Sequence, residues 1–232
     1  MKIAIMQPYF LPYIGYFQLI GAVDRFVIYD NIKYTKKGWI NRNRFLRNGR
    51  AEPFSLPLKK DSDALDVRER SIAPDFDRAK LLNRIAEAYR RAPQFEAVFG
   101  LLQQIVWRSE DNLFGYIHAS LLDVCNHLDI RTPLLVSSAL DIDHGLKGQE
   151  RILAICHHLG ADTYINASGG RGLYSHEAFT AAGIDLRFLQ SHLCPYPQFG
   201  QPFVPWLSIL DVMMFNEPES FYRDLLGRYD LD

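Results

Sequence analysis

The chain has 232 residues, 48% of them hydrophobic, with 26 basic and 27 acidic side chains and a net charge of -1. That is enough apolar material for a sizeable core without disulfides or a structural metal, and the charge balance excludes general nucleic-acid binding through net charge. Three well-separated cysteines with no CxxC pair fit a reduced, cytoplasmic protein, and no apolar run is long enough to span a bilayer.

In chain order, residues 3–6 (IAIM) read as a buried strand, short, apolar and bounded by Gln7-Pro8. Nothing in this opening resembles a secretion signal: the apolar run is too short, and Gln7 and two prolines follow it. Residues 15–22 have a helical pattern with Phe17, Leu19 and Ile20 apolar, and residues 25–29 form the next strand. Strand, helix and strand in so few residues is a βαβ unit, which implies a parallel sheet. Residues 31–50 are basic, aromatic and amide-rich, and Asn48-Gly49 marks a hairpin turn. Three helices are expected next. The first holds Leu81, Leu82, Ile85 and Tyr89 and ends before Pro93. The second holds Phe95, Val98, Leu102, Ile105 and Val106. The third starts after Asp111 as N-cap and buries Leu113, Ile117, Leu121 and Val124. The α/β pattern then resumes with a strand at 133–140, a helix at 148–160 closed by Gly160, and a strand at 162–166. A short helix at 176–182, a strand at 184–189 and a last helix at 208–228, broken near Pro218, complete the pattern. The fold class expected is α/β, a Rossmann-like or HUP-like parallel-sheet core in one domain over 1–232, with residues 75–129 as a helical insertion or subdomain.

Ligands of open parallel sheets sit at the carboxyl ends of strands. Three unusual loops follow strand ends here. The first carries Gln7, Pro8, Pro12, Tyr13, Gly15 and Tyr16. Its glycine opens a helix, where free amides favour anions, and its tyrosines supply uncharged donors. The second starts at Asp30 and carries Lys36, Lys37, Trp39, Asn41, Arg42 and Arg44, a set that can hold phosphate and stack a base or sugar; a solvated basic hairpin is the plain alternative. The third, Asn166 to Tyr174 (NASGGRGLY), has Gly169, Gly170 and Gly172 for close backbone approach and Arg171 as a cation, and a surface turn is its plain alternative. All three loops should meet at one edge. The run Tyr13-Ile14-Gly15-Tyr16 is similar to the HIGH loop of nucleotidylyl-transferring enzymes but lacks both histidines. His157 and His158 are adjacent on a helix and point apart, no residue spacing matches a structural zinc site, and no P-loop, GxGxxG or GxSxG motif is present.

The blocks QPYFLPYIGYFQLI, YDNIKYTKKGWINRNRF, LKGQERILAICHHLGADTYIN, SGGRGLY and FVPWLSILDVMMFN, in this order and covering nearly the whole chain, resemble the WbqC-like family. Tyr13 stands where that family usually has Trp beside the glycine-tyrosine pair. The resemblance implies a bacterial cytoplasmic enzyme of surface-polysaccharide or O-antigen synthesis that handles sugar nucleotides. On the loops above, the expected function is a transferase acting on a nucleotide-linked amino sugar, by acyl or aminoacyl transfer. Asp30, Tyr13 or Tyr16 would orient the acceptor. Lys36, Lys37, Arg42, Gly169, Gly170 and Arg171 would hold phosphates. Gln7, Pro8, Gly15, Asn41 and Asn166 would shape the pocket around a stacking Trp39. An ATP-using ligase or nucleotidylyltransferase, dependent on ATP and magnesium, is the alternative; a non-catalytic pathway binding protein is another. The partner in each case is a small nucleotide or sugar nucleotide, with no nucleic acid and no membrane insertion. Nothing in the sequence fixes an oligomeric state.

Overall fold

A computed structural model describes residues 1–200 and 202–232. Strand β1 (Lys2–Met6) is followed by helix α1 (Ile14–Gly21) and strand β2 (Arg25–Ile28). The hairpin is β3 (Arg42–Arg47) and β4 (Arg50–Ser55). It turns where expected, with Asn48 at φ 50° and Gly49 at φ 72°, two left-handed residues that match the twist of a two-residue turn.

Helices α2 (Arg78–Tyr89), α3 (Phe95–Val106) and α4 (Leu113–His127) bury the apolar positions read from the periodicity. The cap of α4 differs from expectation. Asn112, not Asp111, accepts the Gly115 amide at 2.9 Å. The Asp111 carbonyl is pinned by the Ile72 amide at 2.8 Å, so the chain stays extended one residue longer.

Strand β5 (Leu134–Val136) is shorter than the 133–140 expected, because a 3₁₀ turn at Ser137–Ala139 ends it. Then come α5 (Gly148–Leu159), β6 (Thr163–Ala167), α6 (His176–Ala181) and β7 (Asp185–Ser191). Gly160 caps α5 at φ 68°, the left-handed value a helix stop requires. The final stretch is not one helix. Helix α7 (Ile209–Phe215) stops at Asn216, and α8 (Pro218–Ser220) runs into a π turn at Phe221–Leu225. An unexpected strand β8 (Tyr229–Leu231) follows.

The two α/β segments share one six-stranded sheet in the order β5-β2-β1-β6-β7-β8. Five strands are parallel and β8 runs antiparallel to β7, so the architecture is mixed α/β with a mostly parallel sheet. Strand alternation splits the core into two layers. Ala4, Phe26, Ile28, Ile165 and Leu189 face α1, α7 and the three helices between residues 78 and 127. Ile3, Ile5, Val27, Tyr164 and Phe188 face α5 and α6. No helix among the described residues is long and apolar enough to cross a membrane.

Candidate functional site

The chain leaves β1 toward β2 on one side and later returns to β6 on the other, so the strand order reverses at β1. Crevices in such sheets open at that point, outside the strand carboxyl ends. The register shows how. β1 pairs with β2 through Met6↔Ile28, but with β6 only at Lys2↔Thr163 and Ile3↔Tyr164. Beyond Ile3 the β1–β6 ladder ends, and a cavity of about 670 Å³ lies there, lined by Met6 and Gln7 on one side and Asn166 and Ala167 on the other.

The first loop is held rigidly. Leu11 is buried at φ 45°, a strained value for a side-chain-bearing residue. Its carbonyl accepts from Asn43 Nδ2 at 2.8 Å and Ser208 Oγ at 2.7 Å, while the Pro12 carbonyl accepts from the Ile209 amide at 2.7 Å. The hairpin and the start of α7 thus clamp the loop from both sides. Tyr16 donates to the Gln7 carbonyl at 2.9 Å, which fixes the exit from β1.

Tyr13 sits at the N-cap position of α1 and lines the cleft. Its phenol end lies against Gly15, where a Cβ would approach Tyr13 Cε2, Cζ and Oη to 2.5–2.6 Å. The glycine therefore seats the Tyr13 ring; the expected reason, ligand access to free amides, is not what occupies that space. Gly170 acts likewise for Asn166, whose side-chain Nδ2 a Cβ at Gly170 would crowd. Asn166 Oδ1 accepts from the Ala167 amide at 2.8 Å. Its Nδ2 has no protein acceptor among the described residues, and the residue lines the cleft.

Of the residues singled out in the sequence, Gln7, Tyr13, Gly15, Tyr16, Trp39, Asn166, Gly169 and Gly170 line this one cavity. The others lie outside its lining. Pro8 is buried behind the loop. Asp30 is 2% exposed, and its Oδ1 accepts from the Ser138 amide at 2.9 Å, tying the end of β2 to the turn after β5. Lys36 pairs with Asp63 at 2.8 Å on the surface, and Lys37 is exposed beside it. Arg42 donates to the Gly38 carbonyl at 2.7 Å and to the Lys37 carbonyl, closing its own loop. Asn41 accepts from Tyr34 at 2.8 Å and donates to the Leu56 carbonyl at 2.7 Å, a hairpin brace. Arg171 forms an ion pair with Asp232 and covers the Phe188 ring. The glycine-rich run is not an open loop but a 3₁₀ turn, Ser168–Leu173. The expected meeting of Lys36, Arg42 and Arg171 in one cleft does not occur, because each has found a partner elsewhere.

Several lining residues were not singled out. Tyr9 and Trp206 join Tyr13 and Trp39 around a smaller adjoining cavity of about 240 Å³, with Arg44 over the Trp39 ring at 5.2 Å. Trp206 stands at φ 59° and packs edge-on to Tyr13 at 6.0 Å. Tyr29, Gln149 and Tyr174 also line the larger of the two cavities. Gln149 Oε1 accepts from the Ser175 amide at 2.6 Å and so couples α5 to the loop after β6.

Among the described residues, no Asp, Glu, Lys, Arg or His lines the larger of these two cavities. Burial raises the pKa of Tyr9, Tyr13, Tyr16, Tyr29 and Tyr174, so their phenols stay protonated at neutral pH and act as neutral donors. Burial pushes the Cys125 and Cys156 thiols up to about 12, which makes both poor nucleophiles. Among the described residues, no group of three or more His, Cys, Asp or Glu side chains could hold a metal ion.

A family model described as the WbqC-like protein family matches residues 7–222, a span that includes the clamped loop, the glycine-rich turn and the α7 start. The chain belongs to the WbqC-like protein family. A relative within reach is the uncharacterized protein Rv1507c of Mycobacterium tuberculosis (strain ATCC 25618 / H37Rv), 30% identical over 219 residues, which are 93% of each chain. No solved structure matches the chain. For this WbqC-like chain, the clefts at the β1–β6 opening draw lining side chains from all five of its motif blocks.

Proposed function

We propose that this WbqC-like chain is a cytoplasmic transferase of bacterial surface-polysaccharide (O-antigen) synthesis that adds an acyl or aminoacyl group to a nucleotide-linked amino sugar. The core is read as one Rossmann-like or HUP-like domain, and three cysteines without disulfides accord with a reducing compartment. The observation that carries the reading is the lining of the main cavity: tyrosines, Trp39, Gln7, Gln149 and Asn166, with no charged side chain. Aromatic faces and neutral amides suit a sugar and a base, which stack and hydrogen-bond without carrying charge at those atoms.

A neutral lining also narrows the chemistry. The protein brings position and fixed donors, and the substrates bring nucleophile and leaving group. The sugar amine attacks the carbonyl carbon of an activated acyl donor such as a thioester. A C–N bond forms, the acyl–sulfur bond breaks, and the amine proton leaves with the departing thiol. Asn166 Nδ2 and the Tyr13 hydroxyl, neither of which has a protein acceptor among the described residues, would donate to the developing oxyanion.

The test is calorimetric titration of the full chain with nucleotide-linked amino sugars, beside native mass spectrometry of the freshly purified protein for a retained nucleotide. Saturable binding is expected. Trp39→Ala should weaken it by about 1–3 kcal/mol, the usual cost of losing one base-stacking ring. Absence of binding to every sugar nucleotide tried, with none retained, would overturn the reading. Adenylate formation from ATP and magnesium would favour nucleotidylyl transfer instead.

A further inference from the structure

Beside the neutral cavity lies a second one of about 440 Å³, and the two share Tyr29, Ile32 and Gly148 as lining. Its chemistry is the opposite. Lys33, Arg68, Lys147 and Arg151 line it against a single carboxylate, Asp66. That carboxylate already accepts from the Glu69 backbone in a capping box.

Arg151 is the unusual member. It is 6% exposed, yet no carboxylate pairs with it among the described residues. Its guanidinium lies over the Tyr29 ring at 4.8 Å. One Nη reaches the Asn31 carbonyl at 3.4 Å, the other faces His144 Nδ1 at 3.2 Å, and Nε has no partner. A buried cation left without a counter-charge carries a heavy desolvation cost, so an external anion is the natural complement. A guanidinium can only donate, so His144 Nδ1 is the acceptor in this contact. Asn31 Nδ2 also meets that Nδ1 at 3.2 Å, which leaves Asn31 Oδ1 buried and unpartnered, an acceptor in search of a hydroxyl.

Helix α5 starts in the same wall. Its N-cap position is held by Lys147, which makes no side-chain cap, and Gly148 stands at φ 52°. No side chain caps the first amides of α5, so their partial positive charge adds to that of the side chains. Twelve residues of helix stand behind them.

We infer that this pocket, built from Arg151, Lys33, Lys147 and the first turn of α5, is the phosphate-binding subsite of the ligand cleft and takes a diphosphate with an adjoining hydroxyl. The diphosphate lies between the α5 amides and the Arg151 guanidinium, and Asn31 Oδ1 accepts from the hydroxyl. The organic group attached to the phosphate then enters the neutral cavity across Tyr29 and Gly148. The identity of that group rests on the function proposed above; the anion site rests on its own geometry.

Inorganic pyrophosphate is therefore the first probe, titrated calorimetrically into the full-length chain, with orthophosphate, a nucleoside diphosphate and a sugar 1-phosphate in parallel. Saturable pyrophosphate binding is expected. Arg151→Met should weaken it at least about tenfold, the scale of a lost charge-assisted contact. The double variant Lys33→Ala/Lys147→Ala changes two exposed residues and should weaken it at least about fivefold. If Arg151→Met fails to fold, the double variant decides. No saturable pyrophosphate binding by the parent chain, or unchanged affinity in a folded variant, overturns the proposal. Pyrophosphate carries neither sugar nor base, so the two readings fail separately. Pyrophosphate binding without any sugar-nucleotide binding sinks only the functional reading. Sugar-nucleotide binding that ignores both variants sinks only the subsite.

Discussion

Asp211 and Arg151 are both charges that folding has taken out of water without a counter-ion. Asp211 is fully buried in α7, and its oxygens accept from Tyr89 at 2.7 Å, Tyr196 at 2.7 Å and Gln198 at 2.6 Å. Tyr89 in turn accepts from the Leu46 amide at 2.7 Å, so the network ties α2, α7 and the hairpin together. Arg151 has one long contact, one imidazole neighbour and an orphaned Nε. One centre is satisfied from within the fold and the other is not. A complete internal network is what a structural role needs, and an incomplete one beside a cavity is what a ligand completes.

The largest effect that would break this contrast is in stability. Asp211→Ala strands the Tyr89, Tyr196 and Gln198 donors in a dry interior, and each stranded group costs about 1–3 kcal/mol before relaxation. A loss of about 3 kcal/mol or more in denaturant unfolding is expected. Arg151→Met removes an unneutralised buried cation and keeps much of the side-chain volume, so its stability should stay within about 1 kcal/mol of the parent or rise. A strongly destabilised Arg151→Met beside a mild Asp211→Ala would reverse the assignment of roles.

Why part of this was legible in the sequence follows from which facts are local. The helix faces, the Asn48-Gly49 turn and the Gly160 stop are set by residues a few positions apart. Gln7, Tyr13, Gly15, Asn166, Gly169 and Gly170 reach the cleft because they follow strand ends, and topology alone directs such residues to one edge. Charge partners are not local. Asp63 is 27 residues from Lys36 and Asp232 is 61 from Arg171. A basic loop therefore looks the same in sequence whether its cations are free or paired. Arg151 lies within a helical sequence, where an arginine is ordinarily a solvated surface residue. Its one local signal was Lys147-Gly148 at a helix start where Ser, Thr, Asp or Asn would normally cap. The strand Tyr229–Leu231 was missed because three residues carry no period, and only pairing with β7 defines them.

A smaller effect sharpens the Asp211 half of the contrast. Burial raises the Asp211 pKa, and the hydrogen bonds from Tyr196, Tyr89 and Gln198 offset part of that rise. The folded state therefore holds this proton to higher pH than the unfolded chain does. Its contribution is fully present below the unfolded value, near 3.8, and is lost as pH rises through the folded value. Asp211→Asn lacks the proton equilibrium. Its stability deficit relative to the parent should be greatest in acid and narrow as pH climbs from about 4 toward neutrality. Exposed carboxylates such as Asp162 and Asp224, whose pKa values are lowered by their partners, change stability in the opposite direction but cancel in the difference. A deficit that widens with pH would mean that the carboxylate is stabilised, not burdened, by its site.

The smallest expected effect concerns the other arginine set among glycines. Arg171 is the cation that a phosphate-binding loop would offer, and the sequence pattern around it is richer in glycine than that around Arg151. Its environment differs in kind. It is about half exposed, pairs with Asp232, and lies over Phe188, outside the lining of either cavity beside the switch point. Exposed ion pairs of this sort contribute little, since water and salt already screen both charges. Arg171→Ala should leave the melting temperature within about 2 °C of the parent. It should also leave pyrophosphate affinity unchanged under conditions where Arg151→Met loses it. A fall in pyrophosphate affinity for Arg171→Ala, with Arg151→Met binding normally, would move the anion site to the turn after β6. The contrast between a satisfied and an unsatisfied charge would then have pointed to the wrong arginine.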